Sequence, residues 1–311
     1  MLIKKKRTHR IHRTVAHLAK NHPDMDVGGV SAFARNLELV FDEVLMLTPD
    51  RLDWTRIRKE RIPIICDNQW VCCVPEDIPA IGFQHGVAAV KYRSTRSLSD
   101  LRLSLRQKRA AKRERTLWVA CAQWISDEFA RRHKNPAAKI IYHQVDLDLF
   151  DGRLDNRGSR LILHDARSAH KGRRPITWLK AAFPNWRFEL IDCAPERVPD
   201  RMRRAAAFVH LSLYEGNSIV CNEAMAHNLP CLFTRVGLMK DATGPTDVTL
   251  VDPVASFSNR TYLIDAARPF FSGLQFAASN PRDWVFRHAS LQANISAWRK
   301  AIRLFDEIPW G

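Results

Sequence analysis

Two carboxylates flank a short turn in the stretch LYEGNSIVCNEAMAH, residues 213–227. Glu215 follows an apolar run typical of a buried strand, and Glu223 lies about a turn and a half inside the helix predicted after it. A carboxylate beside a hydrophobic core is costly unless a partner compensates its charge. The pair therefore indicates either a structural cap with an ion pair or a binding site for a ligand.

The turn between the two acids has the residue types of a helix start. Gly216 permits a tight turn, and Asn217 or Ser218 can cap the helix. The free N–H groups of Asn217, Ser218 and Ile219 would then point toward a bound anion, helped by the helix dipole. Two acids beside such a helix start suit a sugar nucleotide, because carboxylates hold hydroxyls while amides hold negative charge.

Short apolar runs that alternate with helical patterns predict the elements that position these residues. Continuous apolar strands between helices are typical of parallel sheets covered on both faces. A polar stretch with two glycines, 150–159, interrupts the pattern. We therefore predict two doubly wound α/β domains with a cleft at the carboxyl ends of their strands. The predicted strands are 14–19, 43–48, 62–67, 79–85, 117–122, 139–145, 160–166, 186–193, 206–214, 230–236 and 247–252.

The composition favours an anionic partner. The 311 residues include 49 Lys and Arg against 33 Asp and Glu, a net charge of +16, and 46% are apolar. Nucleic acid, an acidic membrane surface and phosphorylated small molecules all fit this charge. The seven cysteines form no C-x-x-C pair, which is typical of buried thiols in a reducing compartment. No apolar run has the roughly 18 residues that span a bilayer, and the basic N-terminus lacks the apolar region of a secretory signal. We therefore expect a cytoplasmic protein.

The run KYRSTRSLSDLRLSLRQKRAAKRER, residues 91–115, carries ten Lys and Arg. Leu98, Leu101 and Leu105 recur at helical spacing, which predicts one apolar stripe and a cationic remainder. This helix is either an ordinary solvated face or a surface that meets anionic phospholipid or a polyanionic acceptor. Nucleic acid is less favoured, because the basic residues of the run do not alternate with aromatic side chains that could stack on bases. The last predicted helix is amphipathic. We expect its apolar face to pack against the protein, and this face contains Leu291, Ile295, Trp298, Ile302 and Leu304.

The carboxylate stretch resembles the Glu-x7-Glu signature of retaining GT-B glycosyltransferases, specifically glycosyltransferase family 4 (glycosyl transferases group 1). Three further stretches are similar to the family's motifs in the expected order. They are the glycine-rich DVGGVSAFARNL at 26–37, WVACAQWISDEFARR with KIIYHQVDLDLF at 118–150, and RLILHDARSAHKG at 160–172. The resemblance implies a GT-B fold, in which two Rossmann-like domains face a central cleft. It divides the chain into an acceptor-side domain over 1–154, a nucleotide-sugar domain over 155–285, and a C-terminal helix over 286–311 that packs back towards the first domain.

The resemblance also implies roles for particular residues. Glu223 would bind the ribose hydroxyls of the donor, and Glu215 would face the hydroxyls of the transferred sugar. Arg167 and Lys171 would neutralise the diphosphate and stabilise the leaving group. Gly28 and Gly29 would lie against the phosphate and acceptor side.

His85 takes the place of a family histidine beside the donor sugar; its alternative role is a structural hydrogen bond at a strand end. Gly216 and the N–H groups of Asn217, Ser218 and Ile219 would complete the donor contacts. The family needs neither a metal nor a cofactor, since the leaving phosphate helps to deprotonate the acceptor during front-face attack.

The chain departs from the family's pattern in four places. His143-Gln144 replaces the usual Asn-Gly, and Asn217-Ser218 replaces the Phe-Gly after the first Glu-Gly. The stretch IDCAPERVPD, residues 191–200, replaces a glycine-rich turn that normally meets the base. The donor is therefore expected to be a nucleotide-diphosphate sugar whose UDP, GDP or ADP type is open. The interval from Arg167 to Lys171 is also one residue shorter than usual, so one of these two assignments could be shifted.

The expected activity is that of a retaining, metal-independent hexosyltransferase in lipopolysaccharide, surface polysaccharide or glycolipid assembly. Its acceptor would be a glycan, a glycolipid or another anionic molecule, and residues 91–115 would hold it at the inner face of the membrane. One alternative keeps the chemistry and takes a modified base in DNA as the acceptor. The other alternative is a non-catalytic GT-B-like binding protein.

Overall fold

The computed structural model of the chain describes residues 10–20, 29–156, 158–274 and 280–311. They form two parallel sheets, one of six strands and one of five. Each of the eleven predicted runs overlaps one strand. Two buried clusters belong to each sheet, so helices cover both faces. The prediction of two doubly wound α/β domains is confirmed.

The first sheet has the strand order β2-β1-β3-β4-β5-β6. Its strands are β1 Ile11–Leu18, β2 Phe41–Leu47, β3 Ile64–Asp67, β4 Ala80–Gln84, β5 Thr116–Ala120 and β6 Lys139–Ile140. The helices of this domain are α1 Gly29–Val40, α2 Trp54–Glu60, α3 Ala88–Thr95, α4 Leu98–Ala110 and α5 Gln123–His133, with a short 3-10 helix at Asn68–Cys73.

The second sheet has the order β11-β10-β9-β7-β8. Its strands are β7 Leu161–His164, β8 Arg187–Leu190, β9 Ala207–His210, β10 Cys231–Thr234 and β11 Thr249–Val251. Its helices are α6 Arg173–Ala182, α7 Val198–Arg203, α8 Ile219–Ala226, α9 Pro253–Ser258, α10 Arg260–Gly273 and α11 Arg282–His288, with 3-10 helices at Ala169–Lys171, Pro195–Arg197 and Gly237–Lys240.

The apolar strands owe their form to burial on both sides. In β3, Ile65 packs into the cluster on one face, while Ile64 and Cys66 pack into the cluster on the other face. Successive side chains of a strand point to opposite faces, so a strand covered twice must be apolar throughout. Each fully buried isoleucine contributes about 2 kcal/mol of transfer free energy.

The last helix, α12 Leu291–Asp306, packs on the first sheet although it follows the second domain in sequence. Trp298, Ile302 and Phe305 lie in the same cluster as the side chains of the first sheet. Ser290 caps the helix by accepting a hydrogen bond from Ala293 N at 3.2 Å. The predicted face needs two corrections, because Leu291 is exposed at the first turn, and Phe305 rather than the half-buried Leu304 lies in the core at the last turn.

The leucine stripe predicted in residues 91–115 does not form the buried face of α4. Leu98 and Leu105 are 71% and 62% exposed, whereas Asp100 and Gln107 face inward. Hydrogen bonds decide this: the Gln107 side chain bonds to Gln84, to the Gly86 carbonyl and to Ala88 N.

The outward stripe of α4 therefore alternates leucine with arginine, in the order Leu98, Arg102, Leu105, Arg109. We call this stripe the outer face of α4. No helix in the described part of the chain is long and apolar enough to cross a membrane.

Candidate active site

The loops at the carboxyl ends of the two sheets touch each other. Gly216, after β9, packs so closely on the loop after β4 that a Cβ atom there would lie 1.8 Å from the His85 carbonyl oxygen. The Trp124 indole donates to the Gly216 carbonyl at 2.9 Å, and the Tyr214 hydroxyl accepts from Val87 N at 2.7 Å. Only glycine permits this approach at position 216.

A cavity of about 300 Å³ opens beside this contact. Residues of both domains line it, and several of them are polar or charged. The lining residues are Asn68, His85, Gly86, Ala88, Lys91, Leu103, Gln107, His170, Lys171, Tyr214, Glu215 and Gly216. The structure therefore brings together four of the predicted residues, Glu215, Gly216, Lys171 and His85, at one cavity wall.

Lys171 bridges two carboxylates. Its ammonium lies 3.1 Å from Glu215 Oε1 and 3.2 Å from Asp165 Oδ2. Burial disfavours the charge, but Glu215 and Asp165 outweigh it and raise the pKa of Lys171 above its usual value. Lys171 lies at the end of the 3-10 helix after β7, and Glu215 lies in the loop after β9, so neighbouring strands bring them into contact.

His210 completes a ring of four charged groups with Asp165, Glu215 and Lys171. His210 Nδ1 lies 2.5 Å from Asp165 Oδ1, and Nε2 lies 3.2 Å from Glu215 Oε1. The second approach has an ion-pair distance but not the alignment of a hydrogen bond. Burial opposes the charge of His210, yet Asp165 raises its pKa well above the usual value. The ring therefore alternates two cations with two anions.

The same contacts keep the two carboxylates of the ring, Asp165 and Glu215, in their ionised forms. Burial favours their neutral forms, but His210 and Lys171 outweigh it. The pKa of Asp165 falls well below its usual range, and the pKa of Glu215 is lowered as well.

His85 belongs to a second buried polar cluster. Asp67 Oδ1, at the end of β3, lies 2.7 Å from His85 Nε2 and 2.9 Å from His17 Nε2. Burial opposes ionisation of Asp67, but the two histidines hold its pKa well below the usual range. An ionised carboxylate only accepts hydrogen bonds, so both Nε2 atoms carry protons. Asp67 thus fixes the orientation of His85 at the cavity wall.

Glu223 stands apart from both clusters. In the described part of the chain its carboxyl group has neither an ion pair nor a hydrogen bond. The residue is half-buried, and burial raises the pKa of its carboxyl group to about 8. An unpaired buried acid costs stability, which is typical of a group that awaits a ligand.

The remaining predicted residues lie in different places. Arg167 is exposed, and its Nη2 donates to the Ile191 carbonyl at 2.9 Å, at the start of the 191–200 loop. It therefore does not join Lys171 in the ring. Gly29 begins α1, while Gly28 lies outside the described residues.

The helix start between the two glutamates also serves the domain contact. The Asn217 side chain donates to the Cys121 carbonyl of the first domain at 2.9 Å and accepts from Asn222 at 3.0 Å. Ser218 is the N-cap residue of α8, which begins at Ile219. No described residue accepts a hydrogen bond from the N–H groups of Asn217, Ser218 or Ile219.

Sequence reasoning missed Asp165, His210, Asp67 and His17. Three of the four share one signal, a polar residue at or just past the carboxyl end of a buried strand, as in LILHD and AAFVH. The carboxyl ends of parallel strands meet at one edge, so these positions could have been grouped in advance. His17 carries no such signal, because it lies inside β1.

Residues 164–261 match the family model described as "Glycosyl transferases group 1". The match covers about a third of the chain and most of the second sheet. No curated protein matches the whole sequence significantly.

Solved structures resemble the chain over nearly its full length. Sucrose-phosphate synthase (tll1590) from Thermosynechococcus elongatus superposes with a TM-score of 0.72 at 16% identity, covering 95% of this chain and 99% of that one. Alr3699/HepE of Anabaena, in complex with UDP and glucose, superposes with a TM-score of 0.68 at 14% identity, covering 94% of this chain and 100% of that one. A glycosyltransferase from Rickettsia africae ESF-5 superposes with a TM-score of 0.62 at 14% identity, covering 96% of this chain and 98% of that one.

At these identities the likeness establishes the fold, which is GT-B as predicted. Together with the family match over the second domain, it supports a glycosyltransferase with the GT-B fold.

Proposed function

We propose that this chain is a retaining, metal-independent glycosyltransferase of family 4 that moves a sugar from a nucleotide-diphosphate sugar to an anionic acceptor. The observation that carries the proposal is the pairing of Lys171 with Glu215 at the wall of the cavity between the domains. The family match over 164–261 and the UDP and glucose in the Anabaena neighbour support the donor class. On this proposal residues 1–154 form the acceptor side, residues 155–285 the donor side, and 286–311 the returning helix.

The charged ring suggests how the reaction is assisted. The bond between sugar C1 and the phosphate oxygen breaks, and its electron pair goes to the diphosphate. Lys171 stabilises this developing charge from a fixed position, which needs no reorganisation of solvent. Glu215 holds the hydroxyls of the transferred sugar, and Glu223 holds the ribose. Arg167 and the amides of 217–219 lie at neighbouring loops, where the donor's charge would pass, and Gly28 and Gly29 belong to the phosphate and acceptor side.

The proposal of retention rests on the family resemblance, and the electrostatics of the site are compatible with front-face attack. Glu215 lies beside two cations, Lys171 and His210, which makes its carboxylate a weak nucleophile. We therefore assign proton removal to the donor: the departing phosphate takes the acceptor's proton as the acceptor oxygen bonds to C1 on the same face. His85, oriented by Asp67, lines the cavity as a contact for the sugar.

A thermal-shift screen tests this function. The protein is heated with UDP, GDP, ADP, CMP and dTDP sugars, and one donor class is expected to raise its Tm. A ligand at a hundred times its Kd stabilises by about 2.7 kcal/mol. A donor that binds should also be turned over with retention at C1, as read by NMR of the product. A protein that binds none of these donors at millimolar concentration would instead be the non-catalytic alternative.

The outer face of α4 suggests where the acceptor is found. Leu98 and Leu105 stand exposed between Arg102 and Arg109. Exposed leucines among arginines suit the boundary of an anionic bilayer, where each cation contributes about 1 kcal/mol. Leu103 and Gln107 of the same helix line the cavity. We therefore place the acceptor in glycolipid, lipopolysaccharide or surface polysaccharide assembly at the inner membrane face.

Replacing Arg102, Arg106 and Arg109 by glutamine should weaken binding to phosphatidylglycerol vesicles about a hundredfold, since three cations contribute about 3 kcal/mol. Vesicle co-sedimentation measures the effect. The control removes the same charge from the second domain, at the exposed residues Arg187, Arg260 and Arg268. Equal losses in both triple variants would assign the binding to net charge alone. Tighter, salt-dependent binding to duplex DNA than to vesicles would favour a DNA acceptor.

A further inference from the structure

Asp165 and His210 have no role in the proposed reaction, yet they lie directly behind Glu215. The register of the second sheet explains their meeting. Strands β7 and β9 pair in parallel with His164 opposite Val209, so the next residues along, Asp165 and His210, stand side by side. Both are almost fully buried, at 5% and 2% exposure.

The contacts of the ring are ordered atom by atom. His210 approaches Oδ1 of Asp165, and Lys171 approaches Oδ2. Both cations approach Oε1 of Glu215. Its other oxygen, Oε2, therefore remains for a ligand at the cavity wall.

The titratable neighbours of His210 are few. Asp165 and Glu215 face its two nitrogens, the Cys221 thiol approaches from α8, and Lys171 lies beyond the carboxylates. The imidazolium form of His210 donates from Nδ1 to Asp165 Oδ1 and places its positive charge 3.2 Å from Glu215 Oε1, so both carboxylates favour the protonated ring. A neutral His210 would leave two buried carboxylates with a single cation, which is costly.

We propose that Asp165 and His210 are a positioning pair, which fixes the Glu215 carboxylate at the cavity wall and keeps it ionised beside Lys171. Asp165 holds the imidazolium ring in place, and the imidazolium supplies the second cation that Glu215 needs. The catalytic consequence rests on the proposed function: an ionised Glu215 accepts hydrogen bonds from sugar hydroxyls through Oε2, and a protonated Glu215 does so poorly.

The charge of His210 is measured in the intact protein by NMR of labelled histidine. The His210 ring should stay doubly protonated through pH 8, and its Nδ1 proton should be strongly deshielded by the short contact with Asp165. His210→Gln identifies the signal. His164 is a matched internal reference: it is also buried at a strand end, burial lowers its pKa to about 4, and it should remain neutral from pH 6 to 8. A neutral His210 at pH 7 would overturn the proposal.

The effect on Glu215 is measured by its carboxyl titration, followed with carbon-labelled glutamate and assigned with Glu215→Gln. His210→Gln should raise the titration midpoint by about one pH unit, because a nearby cation is lost. Asp165→Asn should change the midpoint less than His210→Gln does, because the Asp165 charge itself raises the pKa of Glu215 and its loss opposes the loss of the imidazolium charge. His164→Gln should leave the titration unchanged. Equal midpoints in His210→Gln and His164→Gln would refute the pair.

The pH profile of turnover tests the catalytic consequence. In His210→Gln the acid limb of the kcat/KM profile should move to higher pH, together with the titration midpoint of Glu215. In His164→Gln it should stay at the same pH as in the parent. A profile that stays fixed while the Glu215 titration moves would overturn the catalytic role. If the parent protein turns over no nucleotide sugar, the proposed function fails, whereas the Glu215 titration still decides whether Asp165 and His210 act as a pair.

Discussion

Lys171→Met should lower kcat about 10²- to 10³-fold and also destabilise the protein. The ammonium is the cation nearest to the place where we put the leaving diphosphate, and removing one preorganised charge from such a position has an effect of this size. The same change leaves Asp165 and Glu215 with His210 as their single cation. Breaking such a buried pair costs about 3 kcal/mol, reduced here because the Lys171 side chain is 30% exposed. Steady-state kinetics and chemical denaturation measure the two effects.

The pH dependence of this destabilisation has a definite sign. The folded-state pKa of Glu215 is lowered below 4.5, so its ion pairs stabilise the protein above that pH and are lost in acid. The difference between parent and Lys171→Met should therefore be full at pH 7 and should shrink below about pH 4.5. Lys180→Met is the matched control, because Lys180 is exposed on α6 in the same domain. Similar losses of activity in both variants would exclude the assigned role of Lys171.

Glu223→Gln should weaken donor binding at least tenfold while making the free protein more stable. A charged hydrogen bond to ribose hydroxyls contributes about 1.5–3 kcal/mol to binding. The stability change has the opposite sign because the buried acid has no partner. Its pKa is about 8 in the folded state against an ordinary value of 4.5, so the parent loses stability as the pH rises between these values. At pH 7 the variant could gain up to about 3 kcal/mol.

Calorimetry with the donor found in the screen measures the affinity, and thermal melts from pH 5 to 9 measure the stability. The difference in Tm between Glu223→Gln and the parent should increase with pH up to about pH 8 and then stay constant. Glu307→Gln, at the exposed end of the chain's last helix, is the control for a generic loss of negative charge. If Glu223→Gln binds donor as tightly as the parent, the ribose assignment is wrong.

The order of strands and helices could be predicted because burial on two faces leaves a strong mark in the sequence. β3 has four consecutive buried residues in IICD, and β10 has four in CLFT. The orientation of α4 could not be predicted in this way. Its three leucines recur at helical spacing, but the hydrogen bonds of Gln107 to the loop after β4 bury another face of the helix and leave Leu98 and Leu105 exposed. Hydrophobic periodicity does not report such polar contacts.

In the candidate site, too, some residues could be predicted from the sequence and others could not. Glu215, Glu223 and Lys171 could be named from motifs, since the spacing of residues around a turn is local. Arg167 was named with Lys171, yet its guanidinium bonds to the Ile191 carbonyl instead. The partners of Glu215 were not predicted, because nothing in the stretch around it indicates which distant side chains come near.

By itself the sequence determined two parallel α/β units, an acid at the end of one strand, a second acid in the following helix and a strongly basic run at 91–115. Only the tertiary structure decided which charges meet. Asp165 and His210 are 45 residues apart in the chain and 2.5 Å apart in space. The parallel register of β7 and β9 brings them together, and their charges then determine the ionisation of Glu215. Register is a property of the folded sheet, so the local sequence does not contain it.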